Sequence, residues 1–340
     1  MIGFNRRFAL AVIGLLVLGA DAGAAELRIA TVAPDNSQWM RDMRAGGERI
    51  SELTEGRVEL KFRPGGVMGS DAEVLRNIQR TRQLQGGAFS AGGLASRYNG
   101  LNIYSIPLMF RSLEEVDYIR AHLDPKIAAR LEEAGFVSLG FSGGGFANLM
   151  SKVPVSHVDD LRGLKVWIPD GDAISYQVMD AFNLVPVELP VTDVLTGLQT
   201  GTLDVVAAAP VVALVLQWHT RAKYRTELPI SFSMGIFAIE SRAFYALEPR
   251  DQQIVREVIG EVMQKIDRDS RADNEEAREL MARYGVEPVA VDGADVEGWR
   301  AFIESQYPVL RQRGDIDVEL FDEMLSLLDA FRAGRPVPVP

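Results

Sequence analysis

Cysteine is absent from the 340-residue chain. That excludes disulfide bridges, thiolate catalysis, thiolate metal sites and a lipid anchor on a cleavage-site cysteine. Histidine is scarce: His122, His157 and His219 lie far apart, and none stands beside a second histidine or a carboxylate at a metal-ligand spacing. No metal or cofactor is therefore expected, and surface or structural roles are the better reading of all three. Positive charge is outnumbered, 36 Lys and Arg against 47 Asp and Glu, for a net charge of -11. An acidic surface argues against nucleic acid as a partner, because affinity there comes largely from neutralising phosphates. Long apolar runs are missing as well. Phe8 to Leu18 is short of the roughly 20 residues a membrane-spanning helix needs, and no later stretch of that length lacks charge.

What the N-terminus does hold is the pattern of a cleaved signal peptide. Arg6 and Arg7 precede the apolar run, and Ala22-Gly23-Ala24-Ala25 supplies small residues for cleavage. Residues 1–25 are expected to be removed, giving a periplasmic protein that begins near Glu26. The remaining ~315 residues exceed what one hydrophobic core usually serves, so two lobes are the default.

A strand, helix, strand, helix, strand rhythm runs from Leu27-Arg28-Ile29 through a helical segment carrying Trp39, Met43, Ile50 and Leu53, then Val58 to Phe62, and on to Gly86-Gly87-Ala88-Phe89-Ser90. It restarts at Leu164 to Ile168, continues through Ser175 to Phe182 and Val185-Pro186-Val187, and ends with Asp193 to Thr200 and Asp204 to Ala207. Such alternation implies a largely parallel sheet wrapped by helices. Gly143, Gly144 and Gly145 lie between the two units, where glycine suits a hinge. From Arg250 to Tyr284 one apolar stripe predicts a single helix, at ~1.5 Å per residue long enough to brace both lobes.

Motifs for chemistry are missing. Ser142, set among glycines, lacks the strand-to-helix setting of a nucleophile elbow. Glu114-Glu115 and Asp159-Asp160 fall beside helix starts, where they favour the helix dipole and solvent. No enzyme activity is expected. Trp39, Phe89, Phe110, Phe146, Trp167 and Trp218 stand near loop mouths; an aromatic is more often core than ligand contact, but a cleft between lobes is the natural use of such a scaffold.

Several segments together resemble the binding subunits of the tripartite ATP-independent periplasmic (TRAP) transporters, the dicarboxylate-binding family. They are Ile29 to Pro34 followed by Trp39, Phe62-Arg63-Pro64-Gly65-Gly66-Val67-Met68-Gly69, Ile106 to Arg111, Asp160 to Val166, Leu198 to Asp204 and Leu247 to Gln253. The resemblance covers most of the chain after the signal segment. It implies an α/β periplasmic binding protein with discontinuous lobes: 26–144 with about 233–270, 145–232 with about 271–335, and a frayed tail at 336–340. It also implies solute delivery to integral-membrane permease subunits, in some systems with a helical-repeat lipoprotein.

Three positions depart from the family pattern. The arginine expected to grip a ligand carboxylate falls on Trp167, a second arginine on Ala147, and a polar asparagine on Ala208. A buried carboxylate without charged partners costs several kcal/mol. The expected ligand is therefore predominantly apolar or amphipathic: a fatty acid, a lipid-like molecule or an aromatic compound. Its expected contacts are Trp39, Phe89, Ser90, Phe110, Phe146, Ala147, Trp167, Ala208, Pro210 and Trp218. The alternatives are a small organic acid held by a relocated cation, Arg97 or Arg221, and a subunit that presents its ligand to a sensor.

Overall fold

The computed structural model describes residues 24–339, so nearly all of the expected signal segment lies outside the described residues. Ala25 is already part of the first strand, β1 (Ala25–Ala30), which pairs in parallel with β2 (Val58–Arg63) and with β3 (Gly86–Ser90). The intervening helix, Gln38–Leu53, starts where Ser37 Oγ accepts a hydrogen bond from the Met40 amide, an ordinary N-cap. It buries Met43 and Ile50 against Leu27 and Val58 of the sheet.

Two strands without a clear period in the sequence connect the halves. The first, β4 (Phe136–Ser151), runs 16 residues. Near its far end it pairs antiparallel with β7 (Val205–Ala208), beyond which β5 (Val166–Pro169) and β6 (Pro186–Leu189) continue the second-half sheet in parallel. The short β8 (Tyr224–Thr226) also pairs with β4, and β9 (Ser231–Glu240) pairs with β4 from Ala147↔Ser231 back to Phe136↔Glu240. Along the path the order is β2-β1-β3-β9-β4-β7-β5-β6, with β10 (Glu287–Val289) beside β8. One antiparallel ribbon, β4 with β9, thus belongs to both halves.

The expected helix over 250–284 is present as Pro249–Arg283, 35 residues long. Val255, Val258, Ile259 and Met263 pack against Val137, Leu139 and Phe237, while Met281 joins the second-half core with Trp167 and Trp218. Its N-terminal end is held by Asp251, only 2% exposed, which accepts paired hydrogen bonds from Arg57 Nε at 3.1 Å and Nη2 at 2.9 Å. No helix among the described residues is long and apolar enough to cross a membrane.

Gly143 to Gly145, expected as a hinge, lie inside β4, where the register with β9 shifts between Gly143 and Gly145. The bulge is fastened to the long helix: the Gly143 amide donates to Asp267 Oδ1, and Asn274 Nδ2 donates to the Gly144 carbonyl at 2.9 Å. The C-terminal segment reaches both halves: helix Gly293–Ser305 sets Phe302 on Phe182, and the last helix packs elsewhere. Helix Val318–Arg332 buries Phe321, Met324 and Leu328 in the core shared with Ile119, Leu123 and Ile127 of the first-half helix Leu113–Glu133. Arg332 completes that docking with hydrogen bonds from Nε and Nη2 to the buried Glu115 carboxylate, each 2.8 Å.

Gly145 has φ +96 and faces Asn274, with which a β-carbon would collide. Gly145→Ala is therefore expected to lower the unfolding free energy by about 1–3 kcal/mol, seen as a lower urea midpoint. Gly260→Ala, inside the long helix with only the Leu139 carbonyl nearby at 3.8 Å, should instead stabilise by about 0.5–1 kcal/mol in the same assay.

Candidate functional site

Where the two halves face each other they enclose a cavity of about 300 Å³. The first half contributes Ser90, Ala91, Gly92, Ser105, Pro107 and Leu108. The ribbon contributes Ala147, Leu149 and Ser231 to Met234, and the second half lines the cavity from Trp167 to Asp170 and again from Ala207 to Ala209. Helix Ala173–Ala181 adds Ser175, Val178 and Met179, followed by Phe182. The C-terminal helix Gly293–Ser305 closes another side with Trp299 and Ile303.

Trp167 is a fixed wall and not a free paddle. It is 6% exposed, its indole Nε1 donates to the Leu189 carbonyl at 2.8 Å, and its ring meets the edge of Trp218 at 5.2 Å and 75°. A satisfied indole N–H presents the cavity with an apolar face alone. Beside it, Ala147 and Ala208 carry only methyl groups into the same space.

Among the expected contacts, Ser90, Ala147, Trp167, Ala208 and Trp218 meet at this cavity; the others do not. Trp39 packs under the first sheet, and Phe89 and Phe110 are core residues set against Phe136 and Tyr104. Phe146 turns its ring onto Phe232, one layer away from the space. Pro210 starts helix Pro210–Val215, which presents Val212 instead. The relocated cations are absent too. Exposed Arg97 donates to the Ala134 carbonyl at 2.9 Å, and exposed Arg221 lies outside the lining.

No Lys, Arg or His lines the cavity, whereas two aspartates do. Asp172 caps helix Ala173–Ala181, accepting from the Ser175 amide at 2.9 Å and the Ser175 hydroxyl at 2.6 Å. Asp170 is exposed at the mouth. Across from it, Asp71 accepts from the Ser90 amide at 3.1 Å and hydroxyl at 2.8 Å. Burial pushes the carboxyls of Asp71 and Asp172 above the ordinary aspartate range, against the opposing pull of their serine bonds.

Sequence reasoning missed Asp172, Met179, Phe182, Phe232, Trp299 and Ile303. For Asp172 a signal existed: an aspartate three residues before a serine, at the head of an apolar-periodic segment, is an N-cap pattern. For Trp299 and Ile303 none did, because only the tertiary return of the C-terminal segment brings them in.

The histidines have local partners: His122 contacts the Tyr118 and Pro338 carbonyls, His157 contacts Asp295, and His219 contacts the Ala213 carbonyl. Among the described residues no group of three or more His, Asp or Glu is arranged to hold a metal.

A carboxyl with a higher pKa in the folded than in the unfolded chain holds its proton more tightly when folded. The stability this contributes is complete below the unfolded value and is lost as pH rises through the folded value. Asp172 and Asp71 should therefore make stability decline as pH climbs from their ordinary value of 3.8. Asp172→Asn, which keeps the helix cap, is expected to flatten that decline, measured as urea midpoints across an acid pH series.

Comparison with known proteins agrees with this architecture. Residues 29–312 match the model of the bacterial extracellular solute-binding protein, family 7. The 2,3-diketo-L-gulonate-binding periplasmic protein of Escherichia coli is 23% identical over 76% of this chain and 83% of its own length. The C4-dicarboxylate-binding periplasmic protein of Rhodobacter capsulatus is 22% identical over 79% and 85%. A TRAP periplasmic solute-binding protein from Xanthobacter autotrophicus, solved with bound β-D-galacturonate, superposes with a TM-score of 0.81 at 20% identity, covering 89% of this chain and 99% of its own. The chain belongs to bacterial extracellular solute-binding protein family 7.

Proposed function

We propose that this chain captures a predominantly apolar small molecule between its halves in the periplasm and hands it to the integral-membrane permease subunits of a TRAP transporter. A helical-repeat lipoprotein is a further candidate partner of such a ligand. The observation that carries this reading is the lining of the cavity: apolar walls around Trp167, Ala147 and Ala208, and no cationic side chain. An organic anion brought into such a space loses its hydration, with no arginine or lysine to replace it. That costs several kcal/mol unless the ligand takes up a proton. An apolar body, by contrast, gains roughly 25 cal/mol for each Å² removed from water.

A second reading, a hydrophilic organic acid, draws support from the relatives named for gulonate-type and C4-dicarboxylate ligands and from the galacturonate-bound neighbour. It requires a cation to reach the ligand from outside the present lining.

Gentle purification followed by native mass spectrometry and solvent extraction is expected to recover an apolar compound; recovery of a sugar acid or dicarboxylate would decide for the second reading. Trp167→Arg is expected not to create galacturonate binding in a thermal-shift assay. The new guanidinium would face the methyl groups of Ala147 and Ala208, and the Leu189 carbonyl would lose its donor.

A further inference from the structure

The polar end of the cavity carries charge of one sign, and this sharpens the proposed function on which it rests. Asp170 and Asp172 line the space from the second half. Ser90 lines it from the first half, with Asp71 directly behind its hydroxyl. Glu188 adds a further carboxylate through Oε1, which accepts from the Gly171 amide between the two lining aspartates. Gly93 lets Asp71 approach, since a β-carbon there would collide with its carboxylate.

These groups sense one another across the mouth. Asp170 disfavours ionisation of Asp71, and Glu188 does the same to Asp172, and no arginine or lysine is among the principal charges acting on either. The donors already present, the amides and hydroxyls of Ser90 and Ser175, occupy Asp71 and Asp172. What the mouth can still take is positive charge or hydrogen-bond donors; what it repels is negative charge.

We infer that the cavity selects ligands with an apolar body and a cationic, donor-bearing head, such as a primary ammonium, and discriminates against carboxylates of the same skeleton. The apolar walls hold the body, and Asp170 and Asp172 meet the head, with Asp71 behind the Ser90 hydroxyl on the facing side. The cation also offsets the mutual repulsion of these acidic groups.

The test is a head-group series on two fixed skeletons, octylammonium, octanol and octanoate, and the corresponding phenylpropyl ammonium, alcohol and carboxylate, titrated calorimetrically against the mature chain. The ammonium compounds are expected to bind about tenfold or more tighter than the carboxylates, with the alcohols between them. Asp172→Asn and Asp71→Asn, isosteric and each able to keep its serine contact, should each reduce ammonium affinity several-fold and leave alcohol affinity nearly unchanged. Carboxylates binding as well as ammonium compounds, or a ranking unaltered in both variants, overturns the inference. Alcohols binding while ammonium compounds do not would overturn it and leave the apolar reading standing. Silence across both skeletons, with or without galacturonate binding, overturns the two together.

Discussion

The structure depends on the fastening of one antiparallel ribbon to one helix. The ribbon of β4 and β9 is the strand pair shared by both halves, and helix Pro249–Arg283 lies along it. At the bulge around Gly143 and Gly145, Asp267 takes the free amide and Asn274 meets the free carbonyl. A bulge leaves backbone groups out of the ladder, and buried orphans of that kind are costly. Here the helix satisfies them. Asn274 Oδ1 also accepts the Val211 amide at 3.1 Å, so one side chain ties the bulge to the start of the helix beside Ala209. Arg120 extends the junction, joining Asp267 and Asp124 in an ion-pair network that also receives the Tyr104 hydroxyl. The orientation of the halves, and with it the width of the cavity, is set by these contacts.

The cavity walls are mainly apolar, and the Trp167 indole N–H is turned to the Leu189 carbonyl. A mainly apolar wall offers a ligand chiefly dispersion contact and loss of hydration. Discrimination among ligands then falls to the one region where charge remains, the acidic mouth. This division of labour resembles other small-molecule clefts, where apolar area supplies affinity and a few placed groups fix orientation.

Much of the scaffold was legible in the sequence because it obeys local rules. The strands at Val58 and Gly86, the helices capped by Ser37 and Asp172, and the long helix begun by Pro249 follow period and capping signals. The ribbon was not legible. In β4 the run Gly143-Gly144-Gly145 looks like a loop, and only pairing with β9 and fastening by Asp267 make it a strand. Trp167, Ala147 and Ala208, to which the family pattern pointed, line the cavity. Phe89, Phe110 and Phe146 do not, for a physical reason: position near a loop does not say which side of a strand a ring leaves from. Trp299 and Ile303 depend on a C-terminal return that no local rule encodes.

The likeness to acid-binding relatives and the acidic, cation-free cavity are compatible once it is asked what each constrains. Near 20% identity with a TM-score of 0.81, what is retained is the arrangement of sheets, ribbon and helix. That arrangement is held by residues such as Asp251, Asp267, Asn274 and Glu115, and none of them lines the cavity. The lining is therefore separable from the contacts that hold the fold. Trp167 stands on both sides of that division. Packed on Trp218 and bonded to Leu189, it belongs to the second-half core while it presents an apolar face to the cavity. A side chain so placed is hard to exchange by one mutation, because replacing it leaves the core short of a ring and the Leu189 carbonyl short of a donor.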